Sequence, residues 1–138
     1  MIRNIFLDLD GTLIDCPKGR CGLSDAAAGV LNGLKSRGIK LFVATGRSIS
    51  LLPPSVRGFG FQGYVLTNGA SVWADGRELC RHAFPAGMAA RLTKQLEEAG
   101  FEYALQIPGG TFLSENRREL LPYFKKHMFD ETFLTKKP

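Results

Sequence analysis

The sequence lacks any apolar run long enough to span a membrane. Its longest purely apolar stretches are only a few residues, whereas a transmembrane helix needs about 20. The segment Met1-Ile2-Arg3-Asn4 leads almost at once into a strand-like run and does not have the layout of a signal peptide. These two absences predict a cytoplasmic protein.

The sequence also lacks a paired set of metal-binding or disulfide-forming cysteines. It contains three cysteines, which are Cys16, Cys21 and Cys80, and its two histidines, His82 and His127, are isolated from one another. Because no second Cys/His pair follows Cys16 and Cys21 at zinc spacing, free thiols are favoured over zinc ligands.

No nucleotide-binding loop of the G-x-x-x-x-G-K-[ST] type is present. The segment 58–63 matches G-x-G-x-x-G by letter, but it precedes a predicted strand, whereas the dinucleotide motif must follow a strand and open a helix. The net charge of +5 comes without the aromatic–basic interleaving of a nucleic-acid-binding surface. A solvated helix face is favoured for the basic residues, and a field that attracts phosphate esters stays the alternative.

The sequence does have the composition of a globular domain and an alternating element pattern. Its hydrophobic fraction is 44%, as expected for a folded core. Three buried strands are predicted over 5–10, 39–44 and 64–67. A helix capped by Ser24 and ended by Gly38 joins the first two, and a short helix near Ser48, interrupted by Pro53-Pro54, joins the next. This order predicts an α/β fold with a Rossmann-like parallel sheet.

After Gly69 the pattern changes to hairpin, helix, hairpin, helix. The first hairpin turns at Asp75-Gly76 and the second at Gly109-Gly110. The helices are predicted over 85–99 and 116–128, the latter weakened in its middle by Pro122. We therefore predict a core over residues 1–69 and a second, partial α+β domain over 70–138, inserted after the third strand.

Polar side chains follow the predicted strands at their carboxyl ends, where ligands bind in parallel sheets. Asp8, Asp10, Thr45 and Asn68 all occupy such positions. Two carboxylates spaced i and i+2 point to the same side of a strand and repel each other unless a cation compensates them. Mg²⁺ is the natural cation. The alternative, two solvated loop acids, is disfavoured by the buried strand before them and the Gly-Thr after them.

Three segments together resemble the motifs of the haloacid dehalogenase superfamily. The segment 8–13 (DLDGTL) resembles the first motif, and 43–47 (VATGR) resembles the second. The segment 65–70 (VLTNGA) is similar to the stretch that leads into the cap in the Cof-type branch. That branch carries an α+β cap of the IIB type after the third strand, which agrees with the unit predicted from Ser71 onward. The resemblance covers essentially the whole chain.

The resemblance implies a catalytic pair and a metal. Asp8 would attack phosphorus and form an aspartyl-phosphate, and Asp10 would act as general acid and then general base. Mg²⁺ would be bound by the Asp8 carboxylate and the Asp10 backbone carbonyl. The expected activity is therefore that of a Mg-dependent phosphohydrolase acting on small phosphorylated metabolites.

The resemblance also implies phosphate-binding residues. Thr45 and the Gly46 amide would hold the transferring phosphoryl oxygens, together with the backbone N–H groups of Gly11 and Thr12. Arg47 and Asn68 are candidates for substrate contact. The alternative is a surface ion pair for Arg47 and a turn residue for Asn68.

Two further family motifs are not found in the sequence. One supplies a lysine, and the other is a Gly-Asp-x-x-x-Asp loop that completes the metal site. The chain is therefore expected to be C-terminally truncated relative to the family. A catalytically inactive remnant that binds phosphate or a protein is the alternative function. Without the strand of the missing loop, Ile5 to Leu9 would form an open edge. This predicts either a homo-oligomer or coverage of the edge by the chain's own C-terminal segment.

Overall fold

The computed structural model describes residues 2–85, 87–107, 109–127 and 134–135. The elements of these residues fall into two sheets with flanking helices. In chain order they are β1 (Asn4–Asp8), α1 (Asp25–Lys35), β2 (Lys40–Ala44), α2 (Pro54–Arg57), β3 (Gly63–Leu66), β4 (Ser71–Ala74), β5 (Arg77–Arg81), α3 (Met88–Glu98), β6 (Ala104–Ile107), β7 (Gly110–Leu113), α4 (Leu120–His127) and β8 (Leu134–Thr135).

The first sheet has five strands in the order β1-β2-β3-β4-β5. Strands β1, β2 and β3 are parallel, with Asp8 opposite Ala44 and Ala44 opposite Val65. Helix α1 connects β1 to β2. It begins after Ser24, whose hydroxyl oxygen accepts the Ala27 N–H at 3.2 Å. The chain turns back at Gly38, with φ of 77°. The predicted α/β class is confirmed. The predicted N-cap of α1 at Ser24 and the chain reversal at Gly38 are confirmed as well.

The connection from β2 to β3 differs from the prediction in the role of its prolines. A 3₁₀ helix spans Ile49–Leu51, and α2 begins at Pro54. Proline is tolerated at the first helical position because the N–H that it lacks would have no partner there. The proline pair therefore separates two short helices and begins the second one, rather than only interrupting a single helix.

The hairpin β4–β5 turns at Asp75 and Gly76, both with positive φ (53° and 75°), as the Asp-Gly pair predicts. Its position differs from the prediction, because β4 pairs antiparallel with β3, with Leu66 opposite Ser71. The tight turn after β3 reverses the chain directly onto that strand, so the hairpin satisfies its open edge. The hairpin thus extends the first sheet. The two-domain division itself stays a prediction.

The second sheet contains β6, β7 and β8, with β6–β7 antiparallel and β7–β8 parallel. Helices α3 and α4 accompany it. Pro122 was expected to weaken the middle of a helix over 116–128, but α4 begins at Leu120. Pro122 therefore lies in the first turn, where a missing N–H removes no helical hydrogen bond. The predicted end at Met128 lies outside the described residues.

The first sheet packs around its own hydrophobic core. Ten buried residues form this core, and all of them belong to the first half of the chain: Leu9, Ile14, Cys16, Leu31, Leu41, Val43, Leu52, Val56, Phe61 and Leu66. A smaller cluster joins the two parts of the molecule. It contains Leu51, Leu113 and Phe124, which we call the junction cluster. None of the helices in the described residues is long and apolar enough to cross a lipid bilayer.

Strand β1 forms one edge of the first sheet and, among the described residues, pairs with β2 alone. Phe6 on this strand is 60% exposed. Its ring stacks on that of Phe42 in β2, with centroids 4.8 Å apart. An apolar face therefore adjoins the edge that the sequence predicts to be open.

The cysteines correct one expectation. The 3₁₀ helix Cys16–Lys18 and the left-handed Gly19 (φ 73°) reverse the chain. Cys16 and Cys21 come together with their Cα atoms 4.3 Å apart and form a disulfide. The prediction of free thiols is therefore wrong for these two residues, and Cys80 is a free, exposed thiol.

Candidate active site

The carboxyl ends of β1, β2 and β3 lie at one edge of the first sheet because the strands are parallel. Asp8 ends β1, and Thr45 follows β2. The Asn68 N–H after β3 donates to the Thr45 carbonyl at 3.2 Å, and the Thr45 N–H donates to the Val65 carbonyl at 2.9 Å. The predicted convergence of polar residues at the strand ends is thus present in the geometry.

Asp8 has an exposed side chain at the end of β1. Its Oδ2 accepts a hydrogen bond from the Thr12 hydroxyl at 2.9 Å. The chain reaches this position through a tight turn in which Gly11 has φ of 81°, a conformation that favours glycine. The Leu13 N–H bonds back to the Leu9 carbonyl at 2.9 Å and closes the turn. The turn therefore aims the Thr12 hydroxyl at the carboxylate.

The backbone N–H groups of Gly11 and Thr12 are engaged within the same turn. The Gly11 N–H donates to the Ile14 carbonyl at 2.8 Å, and the Thr12 N–H donates to the Leu9 carbonyl at 3.3 Å. A phosphate held by these two groups would have to replace both bonds. Their role as phosphate donors stays a prediction, whereas the Thr12 hydroxyl already contacts the carboxylate of Asp8.

The segment after β2 is tied to the segment after β3. The buried Thr45 hydroxyl oxygen accepts the Arg47 N–H at 3.2 Å, and the Arg47 carbonyl accepts the Thr67 N–H at 3.0 Å. At Gly46, a Cβ atom would lie 3.1 Å from Asn68 Oδ1. The missing side chain of Gly46 therefore gives the Asn68 side chain the space that it occupies.

Thr67 and Asn68 both have positive φ, 51° and 53°. Such conformations cost roughly 1–3 kcal/mol in non-glycine residues and persist where the surroundings determine them. Here the N–H bonds of both residues to the β2 end fix the turn. Asn68 is thus a turn residue, as the alternative interpretation expected, and its contact with substrate stays a prediction.

Arg47 is nearly fully buried, with 3% of its side chain exposed. Its Nε donates to both oxygens of Asp10, at 3.2 and 2.9 Å, and its Nη2 donates to Oδ1 at 2.5 Å. Nη1 also donates to the Leu51 carbonyl at 3.0 Å, and Nη2 to the His127 carbonyl at 2.9 Å. Cys16 Sγ lies 3.9 Å from Nη2. The ion pair named as the alternative for Arg47 exists, but it is inside the protein rather than on its surface.

Sequence reasoning missed these partners of Arg47. Leu51 and His127 contribute backbone carbonyls, which every residue has, and His127 lies 80 positions away in the chain. No motif could have pointed to them.

The loop after the first motif is stabilised by a different acid. The Asp15 carboxylate forms ion pairs with Lys18 and Arg20, both at 3.0 Å. The hydrogen bond from Lys18, aided by Arg20, holds the pKa of the Asp15 carboxyl below its ordinary value despite an opposing effect of burial. Asp15 thus stabilises the conformation of this loop.

The described residues contain no cluster of three or more His, Cys, Asp or Glu side chains that could hold a metal ion. The Asp10 carboxylate is hydrogen-bonded to Arg47, whereas the Asp8 carboxylate is exposed at this edge. Carboxylate and carbonyl oxygens are of the kind that Mg²⁺ prefers. The oxygen atoms at this edge are therefore of the chemical type that binds Mg²⁺.

Comparison with known proteins identifies the family. Residues 5–137 match the family model of the haloacid dehalogenase-like hydrolases. The chain belongs to this family of hydrolases, and the resemblance expected from the three motifs is confirmed.

Individual relatives agree with this assignment. The chain is 29% identical over 94 residues to YkrA, a proposed phosphatase of Bacillus subtilis, covering 68% of this chain and 35% of YkrA. It is 27% identical to BT1666 of Bacteroides thetaiotaomicron, a phosphatase of the same superfamily, with a TM-score of 0.72, covering 91% of this chain and 46% of that one.

A second solved structure supports the fold alone. BT4131, described as a subclass IIB sugar phosphatase, is 19% identical, with a TM-score of 0.71, covering 98% of this chain and 52% of that one. The chain therefore spans about half the length of these two structures and about a third of the length of YkrA.

Proposed function

We propose that this protein hydrolyses small phosphorylated metabolites with the help of Mg²⁺, and that Asp8 is the nucleophile. The observation that carries the proposal is the exposed Asp8 carboxylate at the end of β1, with Oδ2 held by the Thr12 hydroxyl at 2.9 Å. A carboxylate fixed through one oxygen can direct the other at phosphorus and form an aspartyl-phosphate, which divides a difficult displacement into two easier ones.

The neighbouring residues take the roles expected from the family. Asp10 donates a proton to the leaving oxygen and then accepts one from the hydrolytic water. The Thr45 hydroxyl and the Gly46 amide hold the transferring phosphoryl oxygens. The Asp8 carboxylate and the Asp10 carbonyl would hold Mg²⁺, which supplies charge neutralisation between the nucleophile and the phosphate.

A catalytically inactive remnant that binds phosphate or a protein is less well supported. The hydrogen bond to Asp8 and the bonds between the β2 and β3 ends are those of an organised site. Sugar phosphates are the first substrates to test, because BT4131 is described as a sugar phosphatase. The proposal places the protein in the cytoplasm, since ionised phosphate esters do not cross membranes and are retained there.

The test is the formation of a phospho-enzyme. The protein is mixed with p-nitrophenyl phosphate and MgCl₂, quenched in acid and measured by intact mass. We expect the addition of one phosphoryl group, lost in Asp8→Asn and retained in the matched control Asp25→Asn at the start of α1. If the wild type binds inorganic phosphate but never becomes phosphorylated at any Mg²⁺ concentration, the inactive remnant is the better description.

The proposal includes a homo-oligomer that forms through the edge of β1. Two edge strands can pair with each other, and the exposed Phe6 ring beside this edge adds apolar area. Light scattering should give the mass of an oligomer that dissociates in Phe6→Ser. The control is Phe84→Ser, at a residue of similar exposure, 62%. A monomeric mass for the wild-type protein would refute this part of the proposal.

A further inference from the structure

Most of the hydrogen-bonding capacity of Arg47 is used inside the protein. A guanidinium has five N–H groups. Asp10 and the carbonyls of Leu51 and His127 occupy one N–H of Nε, one of Nη1 and two of Nη2. One N–H of Nη1 is left over, and with its side chain 3% exposed Arg47 has little surface on which a substrate could contact it.

We propose that Arg47 is a positioning residue, which orients the Asp10 carboxylate and links that orientation to the docking of helix α4. This inference rests on the proposed function, in which Asp10 transfers the proton. It replaces the expectation that Arg47 contacts the substrate.

The geometry of the pair supports a clamp on one side of Asp10. Nε and Nη2 approach the carboxylate together, so both oxygens are held in one plane. The Asp10 side chain is nevertheless 51% exposed. Arg47 therefore fixes the carboxylate from the protein side and leaves its other side open toward solvent, where a leaving group would accept a proton.

Burial makes the clamp hard to release. A buried guanidinium without its carboxylate would be an uncompensated charge, a strongly destabilising arrangement. The backbone carbonyls of Leu51 and His127 satisfy further N–H groups of Arg47. The position of Arg47, and with it that of Asp10, is thus determined by groups that lie outside the first motif.

The link to α4 passes through a single nitrogen. Nη2 donates to Asp10 Oδ1 and also to the carbonyl of His127, the last residue of α4. The last four carbonyls of a helix have no partner within it, and a cation there is favoured by the helix dipole. Phe124 of the same helix belongs to the junction cluster together with Leu51. A shift of α4 therefore withdraws one partner from the nitrogen that holds Asp10.

The kinetic test uses two leaving groups. Nitrophenolate leaves without a proton, whereas the alkoxide of glycerol phosphate needs one, so only the second substrate depends strongly on Asp10. Arg47→Lys keeps the charge but loses the planar fork. We expect the ratio of alkyl to aryl kcat to fall at least about tenfold with little change in KM. The control Arg37→Lys, on the surface after α1, should leave the ratio unchanged. An equal loss on both substrates with a raised KM would instead make Arg47 a phosphate contact.

A second measurement does not require activity. In ¹⁵N NMR spectra, the Arg47 Nε–H should exchange slowly with water in the wild type and in Asp8→Asn. It should exchange at least tenfold faster in Asp10→Ala, and faster also in Phe124→Ala, which loosens α4. Fast exchange in the wild type, or no response to Asp10→Ala, overturns the inference whatever the activity. If the exchange rates follow the expected pattern but the protein never forms a phospho-enzyme, the positioning role of Arg47 is supported and the proposed function is overturned.

Discussion

The two sheets of the molecule differ in how they are held together. The first sheet encloses ten buried apolar residues of its own. Among the described residues of the second region, which contains β6, β7, β8, α3 and α4, the buried apolar side chains are Phe112, Leu113 and Phe124. The last two form the junction cluster with Leu51 of the first region. Helix α3 contributes no buried residue among its described side chains. The first region therefore stabilises itself, whereas the second is stabilised largely where it meets the first.

This difference explains where the candidate chemistry lies. Asp8, Asp10, Thr45 and Arg47 all belong to the first region, in which a packed core can hold side chains at defined distances. From the described part of the second region, the His127 carbonyl reaches this site by accepting a hydrogen bond from Arg47. A region with few buried apolar contacts opens at low cost in free energy, so it is suited to control access and less suited to hold a nucleophile.

The largest effect should come from the core of the first sheet. Leu9 is fully buried between the two catalytic candidates. Leu9→Ala should lower the free energy of unfolding by about 2–5 kcal/mol, through lost apolar burial and the cavity left behind. Urea unfolding followed by fluorescence of Trp73 in β4 measures this loss. The matched control is Leu79→Ala on β5, where 57% of the side chain is exposed. A comparable loss of unfolding free energy in Leu79→Ala would contradict the conclusion that the buried core stabilises the first sheet.

The next effect should stay within the second region. Phe124 is 6% exposed in the junction cluster. Phe124→Ala should reduce hydrogen-exchange protection in α4 and β7, while β1, β2 and β3 keep theirs, because their core does not include this residue. Phe101→Ala, at a residue 63% exposed, serves as control. Equal loss of protection in both sheets would mean that the molecule unfolds as one cooperative unit.

The smallest effect concerns the beginning of α4. Glu102 accepts the N–H groups of Leu120 and Glu119, at 2.8 and 3.0 Å. These bonds, first that of Leu120, hold the pKa of Glu102 below its ordinary value of 4.5 despite some opposing burial. A lowered pKa in the folded state stabilises α4 at pH values above 4.5, and this contribution is lost as the pH falls through the folded-state value.

Glu102→Gln keeps an oxygen acceptor but does not titrate. Hydrogen exchange of α4 measured from neutral pH to below 4.5 should therefore depend less on pH in this variant than in the wild type. Glu115→Gln, on the exposed segment before α4, is the control. If the wild type and Glu102→Gln lose protection in parallel as the solution is acidified, Glu102 does not cap the helix through its charge.

Much of the first sheet could be predicted because its signals are local. Ser24 and the residue whose N–H it accepts are three positions apart, and the Asp75-Gly76 turn needs only its own backbone angles. The strand-end residues followed from the direction of parallel strands. Each of these features depends on neighbours in the sequence, so the sequence displays it.

The features that could not be predicted depend on contacts between distant residues. The hairpin β4–β5 looked like the start of a new unit, because nothing in its residues indicates that β3 is the strand beside it. Arg47 meets Asp10 across 37 positions and His127 across 80. The disulfide between Cys16 and Cys21 depends on the left-handed turn at Gly19, which their spacing does not reveal.

The close approach of Gly46 to the Asn68 side chain limits which substitutions these two positions can accept. Its φ lies outside the left-handed region, so its backbone would accept an alanine, but the new Cβ would lie 3.1 Å from Asn68 Oδ1 and 3.5 Å from Nδ2. The two positions therefore limit each other's drift. Among diverging descendants of this sequence, a side chain at position 46 should become fixed mainly in lineages where the side chain at position 68 has moved aside or become smaller.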